Sequence, residues 1–224
     1  MSFIEFSYPI DPAKPVLDAK LNPPRVIPRS RMADGQKNNT SYIEMFVHTG
    51  THIDMPWHFN PLGRKINDFA ISEFVFEKVI LLDIPKQAWQ NIEMVDLEPH
   101  QQVLKQCDAI LIRTGFGKAY RAGQPETYLT ANPGLTMEAA KLLTSFTGLR
   151  CLGVDYASVE NLEHNRPLGY PVHHALLDRP EPIILLEDAW LDALPSQPIH
   201  RIYLFPLRVV ELEASPVTAV AEML

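Results

Sequence analysis

The sequence predicts an α/β protein built in layers. Apolar runs that suit buried strands flank an amphipathic helical segment in the second half of the chain, at residues 109–112, 136–148 and 152–155. A length of 224 residues and a hydrophobic content of 46% suit one domain with a substantial core. We therefore expect residues 1–224 to form a single domain in which helices cover a sheet.

The first half of the chain predicts strands separated by a long irregular segment. Residues 3–7 alternate as an edge strand does, and residues 42–47 are rich in β-branched and aromatic side chains. Between them, residues 12–39 are rich in proline, charge and amide groups, which predicts a long loop of the kind that covers functional sites. Residues 78–84 contain a continuous apolar run between Lys78 and Asp83, which suits a buried strand.

The second half predicts helices alternating with strands. Asp96 is placed to cap a short helix that continues to about Gln106. Thr136 is placed to cap another helix, whose apolar side chains recur every three or four residues and which Gly148 ends. Further short strands are predicted at residues 109–112, 152–155, 182–186 and 201–205.

Composition and charge argue against several classes of protein. The chain has 27 acidic and 20 basic residues, without the clustered Lys and Arg of a nucleic-acid-binding surface. Cys107 and Cys151 lack metal or redox spacing, so we expect buried free thiols rather than a disulfide framework. No signal-peptide pattern or membrane-length apolar stretch is present. These features predict a cytoplasmic enzyme that binds neither nucleic acid nor a membrane.

A cluster of histidines is the most informative feature of the sequence. His48, His52 and His58 lie within eleven residues, and Asp54 lies between the second and the third. Imidazole nitrogen and carboxylate oxygen suit zinc or manganese. A glycine and β-branched threonines disfavour a helix here, so we place His48 at a strand end and the other three side chains on the loop that follows. Unconnected surface or core histidines are the alternative, which suits a lone histidine better than a cluster.

The segment from His48 to Phe59, HTGTHIDMPWHF, resembles the signature of the cyclase-type metal-dependent hydrolases, which include bacterial kynurenine formamidases and isatin hydrolases. Further segments similar to that family follow in its order, at residues 108–116, 153–159, 173–177 and 205–207. The resemblance implies a swivelling β/β/α fold with a mixed central sheet. It also implies a homodimer or a higher homo-oligomer.

The resemblance also implies how metal ions are bound. Asp54 and Glu187 would bridge two divalent ions per chain, of zinc or else manganese, and His58 would act as acid/base. From the residues alone, Glu187 at a buried strand end needs a partner, which a metal or an arginine could equally supply. The full set of metal ligands implied by the resemblance is His48, His52, Asp54, His173 and Glu187.

Two points about residues near the later ligands stay open. His173 and His174 would point to opposite faces of an extended strand, so only one of them should enter the site. Asp155 and Ser158 could orient a ligating imidazole, with capping or turn roles as the alternative.

The reaction that the resemblance implies is hydrolysis of an amide-type C–N bond by a metal-activated hydroxide, with His58 moving the proton. An aryl formamide such as N-formylkynurenine is the first candidate substrate. A cyclic amide or lactone, as for isatin hydrolase, is the alternative substrate class. A metal-binding protein without catalytic activity is the alternative to an enzyme.

Overall fold

The chain folds into short strands and short helices. The structure is a computed structural model that describes residues 2–13 and 22–224. The strands are β1 (Ser2–Glu5), β2 (Arg25–Ser30), β3 (Thr40–Glu44), β4 (His52–Asp54), β5 (Val75–Phe76), β6 (Val79–Asp83), β7 (Asn91–Ile92), β8 (Ala109–Arg113), β9 (Gly134–Leu135), β10 (Cys151–Val154), β11 (Ile184–Glu187), β12 (Ile199–Pro206) and β13 (Ala214–Met223). The α-helices are α1 (Met94–Leu97), α2 (Gln101–Leu104), α3 (Phe116–Tyr120), α4 (Pro125–Thr130), α5 (Met137–Thr144), α6 (Leu162–Asn165) and α7 (Pro171–Leu177).

A mixed sheet of nine strands organises the described part of the chain. Its order is β5, β12, β13, β4, β11, β10, β8, β6, and β1 pairs with β13. Strands β6, β8, β10 and β11 are parallel, whereas β4 runs antiparallel to both β11 and β13. Strand β12 also lies near β6, so the sheet is nearly closed. The predicted α/β class with a mixed central sheet is confirmed, while the swivelling arrangement and the single domain stay predictions.

Alternate side chains of the parallel strands pack into two separate apolar clusters. Ile110 and Ile112 of β8 pack in the cluster that includes residues of α5 and α7. Ala109 and Leu111 pack in the other cluster, with residues of β12 and β13. This follows from the two-residue period of a strand, which sends neighbouring side chains to opposite faces. The β8, β10 and β11 strands are therefore buried on both faces, as their apolar sequences predict.

The predicted helices are confirmed in position but not in every boundary. Thr136 caps α5 by accepting a hydrogen bond from the Ala139 N–H (3.2 Å). Asp96, predicted as a cap, instead lies in the first turn of α1 and accepts from the Glu93 N–H (2.7 Å). The predicted continuous helix to Gln106 is also wrong, because a 3-10 turn that contains Pro99 separates α1 from α2. Proline lacks the N–H that a continuing helix needs.

Two expectations about strands are corrected. Residues 12–39 are not one long loop, because β2 pairs with β3. Residues 14–21 lie outside the described residues, so a covering role for this segment stays a prediction. Strand β13 was not predicted, because Pro216 interrupts its pattern and proline usually argues against a central strand. Pro216 lies opposite His52, where β13 pairs with β4.

Cys107 and Cys151 are free and buried, as predicted. Burial raises the pKa of the Cys107 thiol to about 11. None of the helices in the described part of the chain combines the length and apolar character of a membrane span.

Candidate metal centre

Strand β4 carries two of the predicted metal ligands into the middle of the sheet. His52 lies opposite Glu187 of β11, and Asp54 lies two residues further along the same face of β4. The prediction that both lie on a loop is wrong. Pairing of β4 with β11 and β13, which are distant in sequence, supplies the hydrogen bonds that make this short segment a strand. His58 lies in the 3-10 turn Pro56–His58 that follows.

The bend before β4 positions His48. The preceding strand β3 ends at Glu44, so the prediction that His48 lies at a strand end is wrong. Gly50 adopts a positive φ of 65°, which glycine reaches at little cost and which turns the chain back toward β4. The turn brings the His48 and His52 rings to a centroid distance of 5.1 Å.

Helix α7 brings His173 to the same place. The prediction of an extended strand here is wrong, since Pro171 lies in the first turn of a helix and proline is favoured at that position. His173 is buried, whereas His174 is exposed. Neighbouring residues on a helix point about 100° apart, so only one of the two imidazoles enters the site, as expected.

The five predicted ligands come together in one buried cluster. Asp54 Oδ1 lies 2.9 Å from His48 Nδ1 and 3.4 Å from His52 Nε2. Asp54 Oδ2 lies 3.9 Å from His173 Nε2. Glu187 divides its oxygens in the same way, with Oε2 3.5 Å from His52 Nε2 and Oε1 3.4 Å from His173 Nε2. Each carboxylate thus offers one oxygen to each side of the cluster.

The unsatisfied atoms of this cluster fit divalent cations. Within the described residues, His52 Nε2 and both carboxylate oxygens of Asp54 are buried without a well-oriented hydrogen bond, although His48 Nδ1 lies 2.9 Å from Asp54 Oδ1. In that part of the chain, Asp54 and Glu187 form ion pairs with imidazoles and with no lysine or arginine. A buried carboxylate without a counter-charge is costly, and metal coordination removes that cost. Ligand atoms of His52, Asp54 and Glu187 lie within 4.8 Å of one another, as do those of His48, Asp54 and His58.

The outward-facing ring nitrogens also have the contacts expected of metal-binding histidines. His52 Nδ1 lies 2.8 Å from the Gly50 carbonyl oxygen, which can only accept a hydrogen bond. Nδ1 therefore carries a proton, and in the neutral ring this leaves the lone pair of Nε2 available to a cation. His173 Nδ1 contacts Glu160 (2.5 Å). Such outer contacts fix the tautomer of a ligating imidazole.

Two carboxylates near the cluster were not predicted. Glu160 contacts His173, and Glu213 Oε1 lies 3.4 Å from His48 Nε2. Neither has a local pattern that points to it, although Glu160 directly follows the family-like segment 153–159. Asp155 has the turn role, since it accepts from the N–H groups of Thr114 (3.0 Å) and Gly115 (2.7 Å).

The electrostatics separate His58 from the other imidazoles. Burial lowers the pKa of His58 to about 4, so this ring is neutral at pH 7. Burial alone also lowers the pKa of His48, but Asp54 more than offsets this and raises it to about 10. His173 behaves likewise, since hydrogen bonds to Glu160 and Glu187 outweigh burial and raise its pKa to about 10. Without metal, protons on these imidazoles balance the carboxylates.

Those protons predict how stability depends on pH. The metal-free protein is expected to lose stability as the pH rises from about 7 toward 10, because folded His48 and His173 keep protons that unfolded imidazoles, with a pKa near 6.5, release. Bound zinc replaces these protons and should remove the fall. Urea unfolding at pH 7 and pH 9.5, with and without zinc, measures both effects. Metal-free stability that is constant or rising across this range would contradict the assignment of these charges.

A buried ion pair anchors the strand end that carries Glu187. The next residue, Asp188, accepts from Arg121 Nε (2.7 Å) and from the Tyr128 hydroxyl (2.5 Å). Its backbone carbonyl accepts from the Thr51 hydroxyl (2.6 Å), next to His52. This network joins β11 to the bend before β4, so it holds two sides of the cluster together.

Asp188→Asn is expected to lower the free energy of unfolding by about 3 kcal/mol, because it leaves the Arg121 charge uncompensated. Asparagine tolerates the positive φ of 52° at this position, so backbone strain is not the cause. Asp83→Asn is the matched control: Asp83 also pairs with an arginine, Arg113, but its side chain is 57% exposed against 4% for Asp188. Its loss should stay below about 1 kcal/mol. Equal losses in urea unfolding would contradict this role for Asp188.

Aromatic rings border the cluster. Phe46 lies 4.9 Å from the His48 ring, and Phe59 lies 4.4 Å from His58 and 4.7 Å from His173. Tyr170 extends this border, with its ring 5.6 Å from Phe59. Phe46 is 39% exposed, so it offers an apolar face to solvent beside the imidazoles.

The sequence matches the model of the Cyclase family over residues 4–161, which is more than half of the chain. The chain belongs to the Cyclase family. One relative, a kynurenine formamidase from Bacillus cytotoxicus, is 31% identical over 183 residues, which are 81% of this chain and 79% of that protein. Another, a kynurenine formamidase from Geobacillus thermodenitrificans, is 31% identical over 193 residues, or 85% and 83% of the two chains.

The Cyclase-family fold is also seen in a solved structure of isatin hydrolase A from Labrenzia aggregata bound to benzyl benzoate. The TM-score is 0.81 at 22% identity, with 98% of this chain and 93% of that chain covered. The family membership that the segment from His48 to Phe59 predicts is confirmed. The curated relatives of this chain include hydrolases, the kynurenine formamidases.

Proposed function

We propose that the protein is a metal-dependent hydrolase that cleaves the C–N bond of an aryl formamide, with N-formylkynurenine as the first candidate substrate. The observation that carries this proposal is the arrangement of Asp54 and Glu187, which each direct one oxygen toward His52 and the other toward His173. The kynurenine formamidase relatives support the choice of an aryl formamide.

The five predicted ligands would hold two divalent ions between them. His48 and His52 would bind one ion together with the nearer oxygens of Asp54 and Glu187, and His173 would bind the other with the remaining oxygens. Imidazole and carboxylate ligands suit zinc, with manganese as the alternative. When bound, such ions lower the pKa of a water molecule and polarise a substrate carbonyl.

His58 would move the proton during hydrolysis. Its Nε2 lies 3.8 Å from Asp54 Oδ2, its side chain is 28% exposed, and its lowered pKa keeps it neutral at pH 7. A neutral imidazole can take the proton from the attacking water and return it to the departing nitrogen, which yields formate and an arylamine. Phe46, Phe59 and Tyr170 would flank the aromatic part of the substrate and reduce its contact with water.

A substrate panel tests the proposal. Purified protein should hydrolyse N-formylkynurenine and formyl anilides faster than isatin, lose this activity when a chelator removes its metal, and regain it with zinc or manganese. Isatin hydrolysis without formamide hydrolysis would contradict the substrate class and favour the cyclic-amide alternative. Full activity after complete removal of metal would contradict metal dependence. Bound metal without turnover of any substrate would contradict the proposal that the protein is an enzyme.

A further inference from the structure

Glu160 is a buried carboxylate that the proposed reaction does not use. Its Oε1 accepts from His173 Nδ1 (2.5 Å) and from the His173 backbone N–H (3.1 Å). Its Oε2 accepts from the Val172 N–H (3.3 Å). Across residues 2–13 and 22–224, Glu160 forms an ion pair with His173 and with no lysine or arginine. The carboxylate is therefore held by the first turn of α7 and by one imidazole.

The two sides of the metal centre are supported differently. On one side there are two imidazoles: His52, whose Nδ1 contacts the neutral carbonyl of Gly50, and His48, whose Nδ1 faces Asp54 and whose Nε2 lies 3.4 Å from the partly exposed Glu213. On the other side, His173 faces the farther oxygens of both bridging carboxylates, and its outer partner is the anionic Glu160. His58 Nε2 also lies 3.8 Å from the farther oxygen of Asp54, but the proposed function gives this ring the proton transfer rather than a metal ion. An ion on this second side therefore depends more strongly on how well one imidazole binds.

A carboxylate that accepts from the outer N–H of an imidazole makes the inner nitrogen a stronger donor and fixes the ring orientation. Here the inner nitrogen is His173 Nε2, which lies 3.4 Å from Glu187 Oε1 and 3.9 Å from Asp54 Oδ2. The three hydrogen bonds to Glu160 come from the ring and from two backbone groups of α7, so they fix both the ring and the helix that carries it.

We propose that Glu160 is a positioning residue that selectively raises the affinity for the ion on the His173 side. The inference rests on the two-ion site of the proposed function, but not on its substrate or its turnover. Glu160→Gln removes the charge and keeps the shape. It is expected to weaken the binding of one of two zinc ions by about 10- to 100-fold and to leave the other within about twofold.

The experiment titrates Zn²⁺ into metal-free protein in competition with a chromophoric chelator, which resolves the two binding steps without measuring activity. Asp155→Asn is the matched control, since Asp155 is also buried and accepts backbone N–H groups but contacts none of the ligating imidazoles. It should leave both steps unchanged. Thermal unfolding of each metal-free variant measures its folding separately from its metal binding.

A double-mutant cycle tests whether Glu160 acts through His173. His173→Ala should abolish one binding step, and adding E160Q to it should not change the step that remains. Glu160→Asp, which keeps the charge on a shorter side chain, should bind the second ion more tightly than E160Q does. If E160Q does not fold, E160D is compared with the wild type and H173A instead: a change confined to the second step supports the inference, and an equal change in both steps or no change overturns it.

Several results would overturn the inference: equal weakening of both steps in E160Q, no change in either step, the same loss in D155N, or fewer than two ions bound by the wild type. A protein that binds two ions but hydrolyses no formamide would contradict the proposed substrate and reaction alone. The effect of E160Q on the two zinc steps would then still decide the role of Glu160.

Discussion

Replacing His58 by alanine is expected to lower kcat/KM for formamide hydrolysis by about 10²- to 10⁴-fold while the bound metal stays unchanged. The reason is that His58 differs from the other imidazoles of the cluster. Its side chain is partly exposed and its pKa is lowered to about 4, whereas His48 and His173 have pKa values raised to about 10 by adjacent carboxylates. It is the ring best placed to exchange a proton with substrate rather than to bind a cation.

His174→Ala is the matched control for this variant. His174 is the exposed neighbour of His173 on α7, and its Nδ1 lies 3.9 Å from Asp178 rather than near the cluster. Its removal should change kcat/KM less than twofold. Steady-state kinetics and elemental analysis of the same preparations measure both properties. Loss of metal from H58A would make His58 a ligand instead, and retained activity would remove its proposed role in proton transfer.

Asp54→Asn is expected to lower the binding affinity for both ions by more than about 100-fold and to abolish hydrolysis. Losing a ligand that contacts both ions should lower the metal affinity more than losing the hydrogen-bond partner of a ligand, which lowers it about 10- to 100-fold. Asparagine keeps one acceptor oxygen but turns the other toward its imidazoles as an NH₂ donor, which cannot bind a cation. The two oxygens of Asp54 face His48 and His52 on one side and His173 on the other, so one substitution affects both positions.

Zinc titration of metal-free D54N measures this effect, and D155N again controls for loss of a buried carboxylate. A variant that lost one ion and kept the other at wild-type affinity would contradict the bridging position of Asp54. Unfolding of the metal-free D54N protein in urea is a second measurement, since it shows whether the variant is folded before zinc is added.

The sequence predicted the part of the site that is contiguous in the chain. The alternation of His52 and Asp54 was visible because strand geometry places residues two apart on one face. His173 and Glu187 were named through the family resemblance, because their contacts with the β4 segment depend on how β11 and α7 pack. Glu160 was missed for the same reason: a carboxylate after a strand has many roles, and only the packing of α7 shows that it meets an imidazole.

The wrong predictions of secondary structure also have local causes. Pro216 hides strand β13 in the sequence. A helix that begins at Asp96 places Pro99 in its first turn, where proline is tolerated, but the helix begins earlier, at Met94, and is interrupted at Pro99. Strands β8, β10 and β11 are predicted well because both of their faces are buried, which leaves a continuous apolar run in the sequence.

The central claim is that His48, His52, Asp54, His173 and Glu187 together hold two divalent ions. Elemental analysis of wild-type protein, purified without chelator and then loaded with excess zinc and desalted, tests it most directly. We expect about two ions per chain, by the two-sided arrangement of the carboxylates. Protein that remains folded and retains one zinc ion or none per chain after this treatment would contradict the claim.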